Sequence, residues 1–362
     1  MKWLLGRLEH LSRLDYYVKP DDNDGGYVRL DSNENLMLNR QFALQIIEKA
    51  IKDVDLRFYP KQDYEDSLYR QLKKYLGIDE NYLAVGSGSD QIIDLLLSII
   101  GSGKRVAILT PTFSYILNRC ELHGLKLERV PLRRENNTIC ETDFYSAAKE
   151  SEIVYICSPN NPTGNQFDRG LMMEMITNLQ NKLFLIDEAY VEFADYSLSS
   201  LATKYENIVV FRTLSKAFGL AGARVGYMVA NENLIRIFRS RIQLPYSLGT
   251  LSLRIASLAL VRSNHVRKAI EKVKREREKI FEDLSRIVGV KVFKSDSNFL
   301  YLESCEPYYQ SMVEHLHSAR ISVRMLGNID GRAGCLRVTV GTREMNDRFL
   351  NAIETACDHN KI

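Results

Sequence analysis

From about residue 80 the chain alternates short apolar, β-branched runs with stretches of helical periodicity. The strand-like runs are Y-L-A-V-G (82–86), V-A-I-L-T (106–110), L-E-R-V-P (127–131), E-I-V-Y-I-C (152–157), L-F-L-I-D (183–187) and I-V-V-F-R (208–212). Helical patterns lie between most of them, and Q-I-I-D-L-L-L-S-I-I (91–100) is apolar nearly all round. Apolar strands alternating with helices imply an α/β fold whose central sheet is mostly parallel, with helices on both faces. In such sheets ligands bind beyond the carboxyl ends of the strands, so chemistry is sought in the loops that follow them.

After Pro245 the pattern changes. Residues 251–287 read as one long helix or two joined ones, and the run K-V-K-R-E-R-E-K (272–279) reads as a solvated helix face of mixed charge. Strand-like F-L-Y-L (299–302), a helix near 309–319, strand-like I-S-V-R (321–324) and C-L-R-V-T-V (335–340), and a final helix from Arg343 complete a smaller α+β domain. The domain boundary is expected at P-Y-S-L-G (245–249). No internal repeat, low-complexity tract or Gly/Ser-rich linker interrupts the chain.

Composition narrows the function class without naming it. The 362 residues are 45% hydrophobic and 26% charged, enough for a sizeable core without metal or disulfide staples. With 49 basic and 46 acidic residues, the net charge of +3 gives no reason to expect a nucleic-acid or anionic-membrane partner. The six cysteines show no C-x-x-C pair and no metal-ligand spacing, which fits a reducing compartment. The opening residues are apolar only briefly before Arg7 and Glu9, and no segment approaches the ~20 apolar residues of a membrane span. The expectation is a cytoplasmic protein without a secretory leader.

Four loops carry candidate chemistry. R-T-L-S-K-A-F-G-L-A-G-A-R-V-G-Y (212–227) follows a buried strand and gathers Thr213, Ser215, Lys216 and Arg224 among glycines. That set suits a phosphate-bearing ligand with a reactive aldehyde, although a lysine is more commonly a surface residue. L-I-D-E-A-Y (185–190) ends a strand uncharged until Asp187, which is either a helix cap or a partner for a cation. S-P-N-N-P-T-G (158–164) is a fixed turn, either purely structural or presenting Asn161 to a ligand. V-G-S-G-S-D-Q (85–91) runs from strand into helix and leaves the backbone N–H groups of Ser89 and Asp90 as an anion site, or leaves Asp90 as a helix-stabilising charge only.

These loops, in this order, resemble the fold-type-I pyridoxal-phosphate aminotransferases, and most closely the histidinol-phosphate aminotransferase branch. R-L-D-S-N-E-N (29–35), R-F-Y-P (57–60), P-T-F-S-Y (111–115), D-E-A-Y-V-E-F (187–193), S-N-F (297–299) and C-L-R-V-T-V-G-T (335–342) extend the likeness over nearly the whole chain. The resemblance implies an aspartate-aminotransferase-like fold with an N-terminal arm (1–40) joining the small domain, a large cofactor-binding domain (41–245) and a small C-terminal domain (246–362). It implies pyridoxal 5′-phosphate held as a Schiff base on Lys216, with Asp187 keeping the pyridine nitrogen protonated. Asn161 and Tyr190 would bond the ring oxygen and Phe113 would stack on the ring. Thr213, Ser215, Arg224 and the backbone at Ser89 and Asp90 would hold the phosphate. Tyr59 would reach the cofactor of a second subunit, making a homodimer. Arg337 would bind the donor carboxylate, Arg324 the phosphate of histidinol phosphate, and Asn35 would contribute to substrate binding.

The implied reaction is ping-pong exchange of an amino group between histidinol phosphate and 2-oxoglutarate, giving imidazole-acetol phosphate and glutamate in histidine biosynthesis. Its rivals are an aromatic or broad-range aminotransferase, a phosphothreonine decarboxylase, and a non-catalytic cofactor-binding regulator. No metal is expected. Three departures from the family pattern bear on the substrate: Leu36 after N-E-N, Phe58 inserted before Tyr59, and Ser247 in P-Y-S.

Overall fold

A computed structural model describes residues 1–15, 26–52 and 54–358. Residues 16–25 of the expected N-terminal arm therefore lie outside the described part. The chain forms β1 (Val28–Leu30), β2 (Leu83–Ser87), β3 (Arg105–Thr110), β4 (Lys126–Pro131), β5 (Ile153–Cys157) and β6 (Leu183–Asp187). It continues with β7 (Ile208–Thr213), β8 (Val225–Ala230), β9 (Val290–Val292), β10 (Phe299–Ser304), β11 (Ile321–Ile329) and β12 (Arg332–Thr339).

Seven strands form one sheet in the order β2-β8-β7-β6-β5-β3-β4. It is parallel from β4 to β7, whereas β8 runs antiparallel to both β7 and β2. The central strands are buried along their length because apolar layers cover both faces. The helix Gly88–Ile99 is one such cover, and its buried Ile92, Ile93, Leu96 and Leu97 explain its nearly unbroken apolar pattern.

The second sheet has the order β1-β11-β12-β10-β9. Its β1, a three-residue strand from the N-terminal segment, pairs in parallel with β11, and the other pairs are antiparallel. The long helical stretch resolves into Thr250–Val261 and Ser263–Leu284, separated at Arg262. The first of these packs on the helix Gln62–Leu76 and on β8. Most of the charged run 272–279 is solvated, but Arg277 is buried and donates to the Ser297 carbonyl at 3.0 Å. Its position follows Val266, Ile270 and Val273 around the apolar face of that helix, so periodicity carries it inward.

Candidate active site

The carboxyl ends of β5, β6 and β7, the start of the helix after β2, and residues 31–34 enclose a cavity of ≈ 220 Å³. Lys216 lies in the loop after β7, and its ammonium donates to the Ser32 carbonyl at 2.9 Å. Burial, followed by the nearby Arg337 cation, pushes that ammonium down to about 8. The Tyr190 ring lies 5.8 Å from the nitrogen. A lysine so placed has an appreciable neutral fraction near physiological pH, as a nucleophile or proton acceptor requires.

Asp187 ends β6 and is buried. Its carboxylate accepts from the Tyr155 hydroxyl at 2.9 Å and from the Ala189 N–H at 3.0 Å. Burial nevertheless pushes it up to about 6, against the lowering effect of those hydrogen bonds. Tyr155 comes from β5, and the pairing of Tyr155 with Leu185 and of Cys157 with Asp187 sets them on one face of the sheet. Tyr155 belongs to none of the motifs quoted above. The available signal was a hydroxyl-bearing residue in phase with Asp187 inside an otherwise apolar strand.

The anion end is built by close backbone approach. A side-chain carbon at Gly226 would lie 2.1 Å from the Ser89 nitrogen, and one at Gly88, whose φ is +79°, would lie 2.6 Å from Arg224 Nη2. Two glycines thus let β8 and the Arg224 guanidinium press against the first turn of the helix Gly88–Ile99. Arg224 donates to Asp90 at 3.3 Å, while the Thr213 and Ser215 hydroxyls lie 3.0 Å apart. Ser89, Thr213 and Ser215 are buried, so this cluster of donors faces the cavity rather than bulk water.

At the other end Arg337, on β12, is buried and crosses between the sheets. It donates to Asn161 Oδ1 at 2.6 Å and to the Asp31 carbonyl at 2.5 Å, with its guanidinium carbon 5.3 Å from the Phe299 ring centroid. The Asn161 carbonyl oxygen is thereby engaged by Arg337. Asn33 donates to the Tyr190 hydroxyl at 3.0 Å, and burial raises that phenol well above its ordinary value. Asn33 is itself fixed by Thr339, which accepts its backbone N–H at 2.9 Å, and by Asn298, which donates to its carbonyl at 2.9 Å. Neither Asn33 nor Asn298 was picked out from the sequence beyond its motif.

Phe113, Asn161 and Arg337 also border a second cavity of ≈ 290 Å³, which Arg324 of β11 lines, so the two cavities adjoin. Asn35 lines neither of them. Its amide donates to the Ala217 carbonyl at 2.7 Å, holding the lysine loop. Tyr59 is 75% exposed, stacks on Tyr246 at 4.5 Å between centroids, and is absent from the lining of both cavities. Among the described residues no His/Cys/Asp/Glu group is arranged to hold a metal.

The residues present fit pyridoxal 5′-phosphate. A buried carboxyl suits a pyridinium, a glycine-backed helix start with two hydroxyls and a guanidinium suits a phosphate, and an enclosed lysine of lowered basicity suits an aldehyde.

The family model for aminotransferase class I and II matches residues 26–353. A histidinol-phosphate aminotransferase 1 from Archaeoglobus fulgidus is 37% identical over 90% of this chain and 98% of its own. A histidinol-phosphate aminotransferase from Thermoanaerobacter pseudethanolicus is 32% identical over 90% of this chain and 92% of its own. The crystal structure of histidinol-phosphate aminotransferase from Sinorhizobium meliloti in complex with pyridoxal-5′-phosphate superposes with a TM-score of 0.85. It covers 96% of this chain and 97% of that one at 22% identity.

Proposed function

This chain belongs to the aminotransferase class I and II family and uses pyridoxal phosphate, and we propose that it exchanges an amino group between histidinol phosphate and 2-oxoglutarate. The products are imidazole-acetol phosphate and glutamate, as a step of histidine biosynthesis. The observation that carries this reading is the pair of adjoining cavities, which lead from Asp187 and Lys216 to two arginines.

Bound, the cofactor supplies an aldehyde that condenses with amines and a protonated ring that withdraws electrons. The chain's own residues do the rest. Asp187 would hold a proton on the ring nitrogen, and Tyr155 holds Asp187 through its donated O–H. Thr213, Ser215, Arg224 and the first-turn N–H groups at Ser89 and Asp90 anchor the phosphate. Phe113, Asn161 and Tyr190 line the same cavity and would hold the cofactor ring, the first by its aromatic face and the other two by hydrogen bonds. Lys216 Nζ would hold the cofactor's aldehyde end and would accept the proton from the amine-bearing carbon of the substrate, a task suited to an amine lowered to about 8. Arg337 would pair with the carboxylate of glutamate or 2-oxoglutarate through its planar fork, and Arg324 with the phosphomonoester of histidinol phosphate. Enclosure by residues 31–34 and β12 keeps water from the carbon that loses its proton.

The working unit we propose is a homodimer in the cytoplasm. Leu56, Phe58, Tyr59, Leu244 and Tyr246 are exposed, and the Tyr59–Tyr246 stack joins the two segments that carry them. That apolar surface suits a second subunit whose cofactor phosphate Tyr59 reaches. Mass measurement in solution gives twice the chain mass, and Tyr59→Ala lowers cofactor retention on dialysis. A monomer that retains its cofactor normally would remove this part of the reading. Among the described residues, no helix is long and apolar enough to cross a membrane.

The function itself is tested by turnover of histidinol phosphate, phenylalanine and phosphothreonine with 2-oxoglutarate, together with a visible-edge absorption band that borohydride removes. Histidinol phosphate gives the highest kcat/KM. If the phosphate ester were among the poorest donors, the substrate assignment would be wrong, and carbon dioxide release from phosphothreonine would replace it with decarboxylation.

A further inference from the structure

The cavity beside the lysine site has walls from both sheets. One wall is β11 and β12, which bring Arg324 and Arg337 level with each other in the antiparallel register. The opposite wall includes β4, the edge strand of the large sheet, and the helix Ser114–Leu122. On β4, Val130 is buried in the main core, whereas Leu127, like Phe113 and Leu117, packs against the core on the other face of the sheet. Strand alternation places Arg129 on that same face as Leu127, and Arg129 lines the cavity. Its ion-pair partner is Glu121, at 3.5 Å, with the arginine side chain 49% exposed and the carboxylate side chain 33% exposed. Such a pair is long, single-contact and solvent-screened, so it holds Arg129 only weakly.

Three guanidinium groups therefore border one cavity, against a single carboxylate, Asp330, among its lining residues. A monocarboxylate does not need three cations, whereas a phosphomonoester carries close to two negative charges at neutral pH and offers three oxygens in different directions. Arg337, like Arg324, comes from the small sheet, so Arg129 is the guanidinium that the large sheet brings to this cavity.

We propose that Arg129 is a specificity-determining residue which exchanges its weak pair with Glu121 for the phosphate of the substrate. That phosphate then bridges the large domain, through Arg129, to the small domain, through Arg324. This inference rests on the histidinol-phosphate reading and adds a residue to it. An arginine on the second wall gives the enzyme a contact that a phosphate-free amino donor leaves unused, which is how one added charge-assisted contact becomes substrate preference.

The test compares wild type, Arg129→Gln, Arg129→Lys, Glu121→Gln and Arg324→Gln in the holoenzyme, with histidinol phosphate, unphosphorylated histidinol and glutamate as donors. Arg129 is exposed and its replacement leaves no buried charge, so folding is not at issue. Arg129→Gln raises KM for histidinol phosphate about tenfold, as expected for one lost charge-assisted contact, with little change in kcat. Its kcat/KM for glutamate falls no more than about twofold, and inorganic phosphate becomes a weaker competitive inhibitor of histidinol phosphate. Arg129→Lys recovers part of the loss, and Glu121→Gln lowers KM for the phosphate ester by about twofold by releasing Arg129. An Arg129→Gln enzyme with unaltered KM for histidinol phosphate, beside an Arg324→Gln enzyme that loses it, overturns the bridge while leaving the function standing. Equal losses for histidinol phosphate and glutamate overturn it as well. A wild-type enzyme that does not prefer histidinol phosphate to histidinol overturns both readings.

Discussion

The cofactor end and the substrate end of the cleft are built on different principles. At the cofactor end most functional side chains come from the loops of one sheet and are held from below. Tyr155 holds Asp187, glycine contacts press Arg224 against a helix start, and Asn35 ties the lysine loop. At the substrate end Arg324 and Arg337 reach over from a second sheet, and their distance from Asn161 and Phe113 depends on how the two sheets are fastened. One fastening is Arg332 at the start of β12, whose buried guanidinium donates to the carbonyls of Leu132 at 3.1 Å and Arg134 at 3.3 Å and to Glu303 at 3.1 Å. Two carbonyls plus a carboxylate offset much of the cost of burying that charge. The comparison teaches that the chemistry is placed within one layer, whereas substrate choice is placed across two.

Substitutions can break that contrast, starting with the largest effect. Lys216→Ala abolishes turnover by several orders of magnitude with fold and assembly intact, because it removes both the covalent anchor and the base. Stopped assays with circular dichroism as the folding control check it, and ordinary activity in that variant would refute the role. Asp187→Asn comes next, with kcat reduced about a hundredfold or more, since the amide cannot hold a proton on the ring nitrogen.

The same variant sharpens the electrostatic side of the comparison in the apoprotein. A carboxyl raised to about 6 from 3.8 is uncharged in both states at low pH, where it opposes folding least. Its ionised burial cost develops as pH rises through that interval and is fully present above about 6. Asp187→Asn is therefore more stable to denaturant than wild type at pH 8, by up to about 3 kcal/mol, and the gap closes near pH 4. A constant gap across that range would show that charge burial at Asp187 is not the cause.

Smaller effects belong to the substrate end. Arg337→Ala weakens histidinol phosphate and glutamate together, because it frees Asn161 and the Asp31 carbonyl as well as losing its fork. Arg324→Ala raises KM for histidinol phosphate about tenfold or more and affects glutamate far less. An equal loss for both donors would show that the two arginines do not divide the work. Back at the cofactor end, Tyr155→Phe costs about 1–3 kcal/mol of stability and lowers cofactor retention without abolishing turnover, read by thermal melting and dialysis.

Much of the large sheet was readable in advance, and the reasons are local. β6 coincides with the expected 183–187, and β3, β5 and β7 differ only by a residue at an end, because each is a buried apolar run bounded by turn-forming or charged residues. β8 was missed, since V-G-Y-M-V-A begins inside the polar loop segment and its antiparallel return carries no helix before it to announce a strand. The three-residue β1 and β9 are too short to show a period, and β1 pairs with β11 near the other end of the chain. Asn35 was legible as part of a motif but not as a clamp on Ala217, 182 positions away.

By itself the sequence determined the strand-and-helix rhythm, the family, the cofactor and the types of side chain offered at each strand end. These follow from local periodicity and from short motifs whose residues act within a few positions of one another. Tertiary structure alone decided that Tyr155 supports Asp187, that Arg337 engages Asn161, that Asn35 turns to the lysine loop and that Arg129 faces Arg324. Those are contacts between elements far apart along the chain, and strand order, sheet twist and the packing of two sheets set them, none of which a local pattern encodes.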